Sequence, residues 1–143
     1  MTTLILKEVQ ELDEMKAIYP LLTQLRTTLT EREFVLQTKT MIEEGYRMLV
    51  LYKETHPVAM AGVIMLTNYY DGKHVYVYDL VTEPSQRSKG YGNRVLQEVD
   101  KWGSMRGCEK VVLSSGVKRE EAHRFYEEKG GFQKESYVFR KKV

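Results

Sequence analysis

Three strand-like runs in the middle of the chain constrain its fold more than any other feature. They cover Tyr46–Lys53, Val58–Thr67 and Lys73–Thr82, and all three are rich in β-branched and aromatic residues. Residues 54–57 separate the first two runs and read as a turn. Because a short turn joins antiparallel neighbours, we expect an antiparallel pair of strands followed by a third.

Helix-like and strand-like patterns alternate on both sides of these runs. Before the central runs, the predicted elements are a strand over Leu4–Val9, a helix over Glu11–Leu25 that Pro20 kinks or splits, and a helix opened by a Thr30/Glu33 capping box. After them, the predicted elements are a helix carrying Val95, Leu96, Val99 and Trp102, a strand over Lys110–Ser115, a helix over Glu120–Lys129 and a strand over Phe132–Arg140. The order is β-α-α-β-β-β-α-β-α-β. It predicts the α/β class, with a mixed, mostly antiparallel sheet and helices on both faces.

Size and composition restrict the class of protein further. A chain of 143 residues with no linker or repeat predicts a single domain over residues 1–143. The net charge of +2 argues against a nucleic-acid partner. The longest apolar run, Val58–Leu66, falls well short of the about 20 residues of a membrane span, so we expect no membrane partner. Since Cys108 stands alone and Met1–Gln10 lacks a signal-peptide pattern, we expect a cytoplasmic protein.

Several other kinds of site are unsupported by the sequence. The three histidines, His56, His74 and His123, come from separate elements, so we expect no metal site. The Gly-x-Ser-x-Gly motif of serine hydrolases is absent. Residues 89–92 match the start of an RNA-recognition motif, but Asn93 and Arg94 break the match directly afterwards.

The segment Gln86–Gly92, between a predicted strand and a predicted helix, carries the strongest functional signal. Its glycines allow successive N–H groups to face one concavity, and the helix adds unpaired N–H groups and a positive dipole end. The start of the predicted helix, residues 93–97, contains no acidic residue, whereas Arg87, Lys89 and Arg94 add positive charge. The pattern favours a bound anion, most simply a pyrophosphate. The alternative is an ordinary turn before a solvated helix.

Two longer motifs resemble one known family. Asp79–Pro84 followed by Arg87-Ser-Lys-Gly-Tyr-Gly92 is similar to the acetyl-CoA signature of the GNAT superfamily of N-acetyltransferases. Ala122–Glu127, with Phe-Tyr-Glu at its end, followed by Gly131-Phe132 is similar to a later motif of that family. The predicted order of elements also resembles the GNAT fold over nearly the whole chain. The resemblance implies an enzyme that moves an acetyl group from acetyl-CoA to a primary amine by direct attack in a ternary complex.

The same resemblance assigns roles to individual residues. It implies that Leu80, Val81 and Thr82 pair through their backbone with pantetheine and the thioester. The remaining cofactor-binding residues that it implies are Arg87, Ser88, Lys89, Gly90, Tyr91, Gly92 and Asn93 at the pyrophosphate, and Arg119, which stands where the family often has an asparagine. Tyr126 would be the general acid for the thiolate, and Asp79 would accept the proton of the amine.

Several alternatives stay open at this point. Tyr126 is also compatible with a core position, and Asp79 with a solvent-facing or capping role. Arg119 and the extra glycine in Gly130-Gly131 leave room for a non-catalytic acyl-CoA sensor on the same fold. The acceptor is a small amine, an aminoglycoside, an amino acid or a protein amine, and a homodimer is left open.

Overall fold

The computed structural model describes residues 3–143. The chain divides into two compact units, one that ends at Val112 and one that spans Leu113–Val143. Each unit is described by itself.

The first unit contains nearly all of the regular structure. Its elements are β1 (Leu4–Val9), α1 (Leu12–Lys16), α2 (Tyr19–Leu22), α3 (Glu31–Glu43), β2 (Arg47–Lys53), β3 (His56–Asn68), β4 (Gly72–Thr82), a 3₁₀ turn (Pro84–Gln86), α4 (Tyr91–Ser104) and β5 (Lys110–Leu113), whose last residue belongs to the second unit. The three central strands form at the predicted places. The α/β class and the mixed, mostly antiparallel sheet with helices are confirmed, and the sheet has five strands where the sequence predicts six.

The sheet has the order β1-β2-β3-β4-β5, and its first four strands are antiparallel. The turn between β2 and β3 is tight because Glu54 adopts a left-handed conformation with φ of 56°. The chain then crosses from β4 to β5 through α4. This crossover places the 3₁₀ turn and the start of α4 directly after the end of β4.

Both faces of the central strands are covered. Consecutive side chains in β2 point to opposite faces, yet all four residues Met48–Leu51 are at most 1% exposed. Met48 and Val50 pack with apolar residues of α1, α2 and α3 in one core cluster. On the other side, α4 contacts β2, β3 and β4. Helices therefore cover both faces of the sheet, as the sequence predicts.

The first helical region follows the predicted pattern. It is split into α1 and α2, and Pro20 lies in the first turn of α2, where its missing N–H costs nothing. The predicted capping box is also present at the start of α3. The Thr30 N–H donates to Glu33 Oε1 and the Glu33 N–H donates to Thr30 Oγ1, each over 3.1 Å.

Helix α4 lies close to the sheet. Its buried residues are Val95, Leu96, Val99, Trp102 and Gly103. Trp102 Nε1 donates to Glu8 Oε1 of β1 over 2.9 Å, and the Arg106 guanidinium lies 4.1 Å from the centre of the Trp102 ring. None of the described helices, of which α4 with 14 residues is the longest, is long and apolar enough to cross a membrane.

The second unit contains α5 (Glu120–Glu128) and an extended tail. The extra glycine is accommodated where α5 ends, because the N–H groups of Gly130 and Phe132 donate to the carbonyls of Phe125 and Tyr126 over 3.1 and 3.0 Å. The predicted strand over Phe132–Arg140 is wrong, since residues 131–143 form neither helix nor strand. Strand-like composition does not make a strand without a ladder partner, and Tyr137 and Phe139 are 80% and 91% exposed.

Substitution of Gly103 tests the packing of α4 on the sheet. A Cβ atom at Gly103 would lie 2.6 Å from Val75 Cγ2 of β4. We expect Gly103→Val to lower the free energy of unfolding by about 1–3 kcal/mol, because an overpacked contact forces the helix away from the sheet. Urea denaturation measures the change. The matched control is Ser104→Val on the exposed side of the same helix, and an equal loss in both variants would contradict this packing.

Candidate functional site

The end of β4 extends beyond its neighbour β5. The start of β5 lies level with the start of β4, where the Glu109 N–H donates to the Lys73 carbonyl over 3.2 Å. Since β5 has four residues and β4 has eleven, β5 is too short to reach Leu80–Thr82. On its other edge this segment pairs with β3, Ala61 opposite Leu80 and Ala59 opposite Thr82.

A β-bulge lies just before this segment. Gly62 of β3 pairs with Asp79, but the next residue, Val63, pairs with Val77, so Tyr78 has no partner in the β3–β4 register. The Tyr78 carbonyl instead accepts a 2.7 Å hydrogen bond from Arg26 Nη2. A bulge bends its strand and re-aims the side chains around it, and such irregularities are common beside active sites.

Four residues, Arg26, Tyr46, Tyr78 and Asp79, form what we call the Asp79 cluster. Arg26 Nε donates to Asp79 Oδ1 over 2.7 Å, and the Tyr46 hydroxyl hydrogen-bonds to the same carboxylate. The Asp79 side chain is 9% exposed, whereas that of Arg26 is 50% exposed. The ion pair therefore joins a buried carboxylate to a guanidinium at the surface of the α2–α3 loop.

Tyr46 reaches the carboxylate because residue 62 is glycine. A Cβ atom at Gly62 would lie 2.0 Å from the Tyr46 hydroxyl oxygen and 2.7 Å from the ring carbon that carries it. The Tyr46 ring also stacks on the Tyr78 ring, with centroids 6.1 Å apart and an angle of 21° between the planes. Glycine is thus required at residue 62 because the Tyr46 side chain lies directly against the backbone of β3.

Burial dominates the protonation behaviour of the cluster. It raises the pKa of Asp79 above the ordinary value, although the Arg26 charge and the hydrogen bonds from Arg26 and Tyr46 lower it. Burial, with a smaller contribution from the Asp79 charge, raises the pKa of Tyr46 well above its ordinary value. Tyr46 therefore stays protonated and donates its hydrogen bond, while Asp79 is a more basic carboxylate than one in water.

The loop after β4 has the backbone that the glycine pattern predicts. Ser88 and Gly90 adopt left-handed conformations, with φ of 67° and 79°. Apart from its two chain neighbours, no atom of residues 3–143 lies within 4 Å of a Cβ atom placed at Gly90, so the space beside it is open. Glycine is needed here for its conformation and not for packing against the protein.

The start of α4 carries no groups that neutralise its positive end. Gly90 is the N-cap, no side chain caps the helix, and the first turn has no acidic residue. The N–H groups of Tyr91, Gly92 and Asn93 have no intrahelical acceptor, and the first intrahelical bond is from the Arg94 N–H to the Gly90 carbonyl over 3.0 Å. Arg87 and Lys89 are exposed beside this helix end. The arrangement is suited to binding an anion.

The second unit holds the other two predicted site residues. Arg119 is the N-cap of α5 without a side-chain capping hydrogen bond. Tyr126 lies on the buried side of α5 with 8% exposure, and its ring meets those of Phe125 and Phe132 edge-on, each with centroids 5.7 Å away. Within residues 3–143, no group of three or more His, Cys, Asp or Glu side chains is placed to hold a metal ion.

Sequence reasoning found the segments of this site but missed the contacts around Asp79. The predicted residues of the first unit occupy one continuous path, from Asp79 and Leu80–Thr82 at the end of β4 to the 87–93 loop. Tyr46 and Gly62 were not predicted. A lone glycine inside an apolar strand run is a recognised sign of a bulge or close approach, so Gly62 could have been found. Nothing in the local sequence singles out Arg26 as the partner of Asp79.

Two sequence comparisons identify the family of the chain. The sequence model of the acetyltransferase (GNAT) family matches residues 10–132. The uncharacterized N-acetyltransferase YhdJ of Bacillus subtilis is 37% identical over 139 residues, which cover 96% of this chain and 98% of YhdJ.

Solved structures show the same fold at low sequence identity. The aminoglycoside N-acetyltransferase AAC(6')-Iy in complex with CoA superimposes with a TM-score of 0.87 at 14% identity, covering 99% of this chain and 96% of that one. Glucosamine-6-phosphate N-acetyltransferase from Arabidopsis thaliana gives a TM-score of 0.75 at 23% identity, with 98% of both chains covered.

A double-mutant cycle tests whether Gly62 makes room for Tyr46. We expect Gly62→Ala to lower the free energy of unfolding by about 1–3 kcal/mol, because the new methyl group displaces the Tyr46 ring. In a Tyr46→Leu background the same change should cost at least about 0.5 kcal/mol less. Urea denaturation of the four proteins gives the coupling. Additive effects would show that the two residues do not compete for this space.

Proposed function

The chain belongs to the GNAT acetyltransferase family and is an acetyltransferase, and we propose that it moves an acetyl group from acetyl-CoA to a primary amine. In the proposed reaction the amine attacks the thioester directly while both substrates are bound. The observation that carries the proposal is the continuous path from the bulge at Tyr78, through Asp79 and Leu80–Thr82, to the uncapped start of α4.

The residues after β4 suit a CoA pyrophosphate. The proposed contacts are the N–H groups of the Gly90–Asn93 turn, with Arg87 and Lys89 supplying charge. The free edge of Leu80–Thr82 offers backbone groups to the pantetheine amides, and a backbone N–H there would stabilise the oxyanion. Arg119 is proposed as a further contact to CoA. Acetyl-CoA is thus the proposed co-substrate, with no metal.

Proton transfers complete the reaction. The amine nitrogen forms a bond to the acetyl carbon, and the carbon–sulfur bond breaks with its electron pair going to sulfur. Asp79 is proposed to accept the proton that the amine loses, through a water molecule because the carboxylate is largely covered. Tyr126 is proposed to donate its phenolic proton to the CoA thiolate. A burial-raised pKa makes Asp79 a better base than an exposed aspartate.

The acceptor is proposed only as an amine-bearing molecule. Tyr69 and Tyr70 in the β3–β4 turn and Tyr78 in β4 carry exposed aromatic rings, and these rings do not select one amine. We also propose that residues 1–143 act as a single catalytic domain and that the protein is cytoplasmic.

Binding of acetyl-CoA is the first test. We expect acetyl-CoA and CoA to raise the Tm by similar amounts, because a ligand that binds the native state stabilises it. Gly90→Val should abolish this rise, since it strains a left-handed backbone and fills the open space above it. The matched control is Gly72→Val, where φ is 66° and the surroundings are equally open. Differential scanning fluorimetry measures all three proteins, and an unchanged Tm at millimolar acetyl-CoA in wild type would contradict the proposal.

The role of Tyr126 is tested by removing only its hydroxyl. Tyr126→Phe keeps the edge-on packing against Phe125 and Phe132. We expect turnover to fall about 10²–10⁴-fold with little change in acetyl-CoA affinity, because the thiolate loses its proton donor. Release of CoA thiol across a panel of amines identifies the acceptor and measures the rate.

Tyr137→Phe is the control for loss of a hydroxyl elsewhere in the second unit, and its turnover should equal that of wild type. Equal turnover in Tyr126→Phe would assign Tyr126 to the core. Wild-type protein that binds acetyl-CoA but releases no thiol with any amine would favour an acyl-CoA sensor.

A further inference from the structure

Arg26 is the cationic residue of the Asp79 cluster. It lies in the loop between α2 and α3, 53 residues before Asp79, so the contact between them is made by the fold alone. Its guanidinium bridges two neighbouring groups of β4, donating from Nε to the Asp79 carboxylate and from Nη2 to the Tyr78 carbonyl, each over 2.7 Å. Two bonds from one planar group fix its orientation as well as its position.

The hydrogen bond from Arg26 Nη2 to the Tyr78 carbonyl compensates for the strand pairing that the bulge removes. Tyr78 is the residue left out of the β3–β4 register, and Arg26 supplies a donor for its carbonyl. The same guanidinium therefore stabilises the irregular backbone at Tyr78 and orients the side chain that follows it. Because Leu80–Thr82 continues directly from this point, the direction of the proposed thioester-binding segment depends on the bulge.

A contribution to the stability of the folded protein does not by itself explain why the Arg26–Asp79 ion pair is present. Burial still raises the pKa of Asp79 after the contributions of Arg26 and Tyr46 are included, so the folded protein carries an imperfectly compensated carboxylate. An ion pair with a half-exposed guanidinium contributes little to the free energy of unfolding. A carboxylate that is buried, only partly compensated and fixed in place accepts a proton more readily than an exposed one.

We propose that Arg26 is a positioning residue for Asp79, a role that rests on the proposed function of Asp79 as the base. The Arg26 guanidinium fixes the orientation of the Asp79 carboxylate and favours its ionised form. The Tyr46 hydroxyl hydrogen-bonds to the same carboxylate. Arg26 itself takes no proton, because a guanidinium stays charged throughout the working pH range.

The charge and the forked shape of Arg26 have separable effects. Arg26→Gln removes the charge and Arg26→Lys keeps it but cannot make both bonds in one plane. The charged and titratable groups that face Asp79, among the described residues, are Arg26 and Tyr46. Because the Tyr46 hydroxyl is neutral, no other positive charge among the described residues facing Asp79 replaces the one that Arg26→Gln removes.

The direct test follows the Asp79 carboxyl by ¹³C NMR as a function of pH, with the signal assigned from Asp79→Asn. We expect Arg26→Gln to raise the pKa of Asp79 by about one to three pH units, because a neighbouring positive charge favours the carboxylate. Arg26→Lys should give a smaller rise. Arg32→Gln, the same charge change on the exposed side of α3, should give none.

The kinetic test uses wild-type protein with the acceptor that the amine panel identifies. The acid limb of kcat/KM should move to higher pH in Arg26→Gln, because the base must lose its proton before it can act. In Arg26→Lys the limb should stay nearer to wild type while kcat falls about 10-fold or more, since misorientation slows a positioned reaction.

A role of Arg26 in stability alone would lower the Tm and leave the acid limb of kcat/KM and the kcat of Arg26→Lys unchanged. An Asp79 titration in folded Arg26→Gln identical to that of wild type overturns the proposal, and if that variant does not fold, wild-type kcat in Arg26→Lys overturns it. The carboxyl titration needs no substrate. Absence of amine turnover in wild type would therefore contradict the proposed function, while the titration still decides whether Arg26 controls Asp79.

Discussion

Desolvation of both faces of the central sheet is the constraint on which the first unit depends. Strands that are covered on one face alternate between apolar and polar residues, but Met48–Leu51 of β2 are all buried. Helices α1–α3 must then cover one face and α4 the other. Because helices cover both faces, polar functional groups are confined to the strand ends and the loops. The bulge near the end of β4 and the start of α4 are two such places.

The elements with strong local signals were predictable from the sequence. The capping box at Thr30 and Glu33, the split at Pro20 and the glycine conformation at residue 90 are all local effects that involve few residues. The two motifs that resemble the GNAT family add the fold and the cofactor segments, which local patterns alone leave open.

Non-local contacts were not predictable in the same way. The partner of Asp79 comes from a loop 53 residues earlier, and no spacing rule connects residues so far apart. The predicted last strand failed for a related reason. A strand is defined by its hydrogen-bonding partner, and composition at Phe132–Arg140 carries no information about whether a partner is present.

The exposed tail has a consequence for the behaviour of the protein in concentrated solution. Tyr137, Val138 and Phe139 are 80%, 54% and 91% exposed, and adjacent exposed apolar side chains favour association between molecules. Charges enclose it on both sides, with Lys134 and Glu135 before it and Arg140, Lys141 and Lys142 after it. Such flanking charges are gatekeepers, since stacking copies of the segment would bring like charges together. Neutralising the three cations that follow Phe139 would remove that protection and reduce colloidal stability.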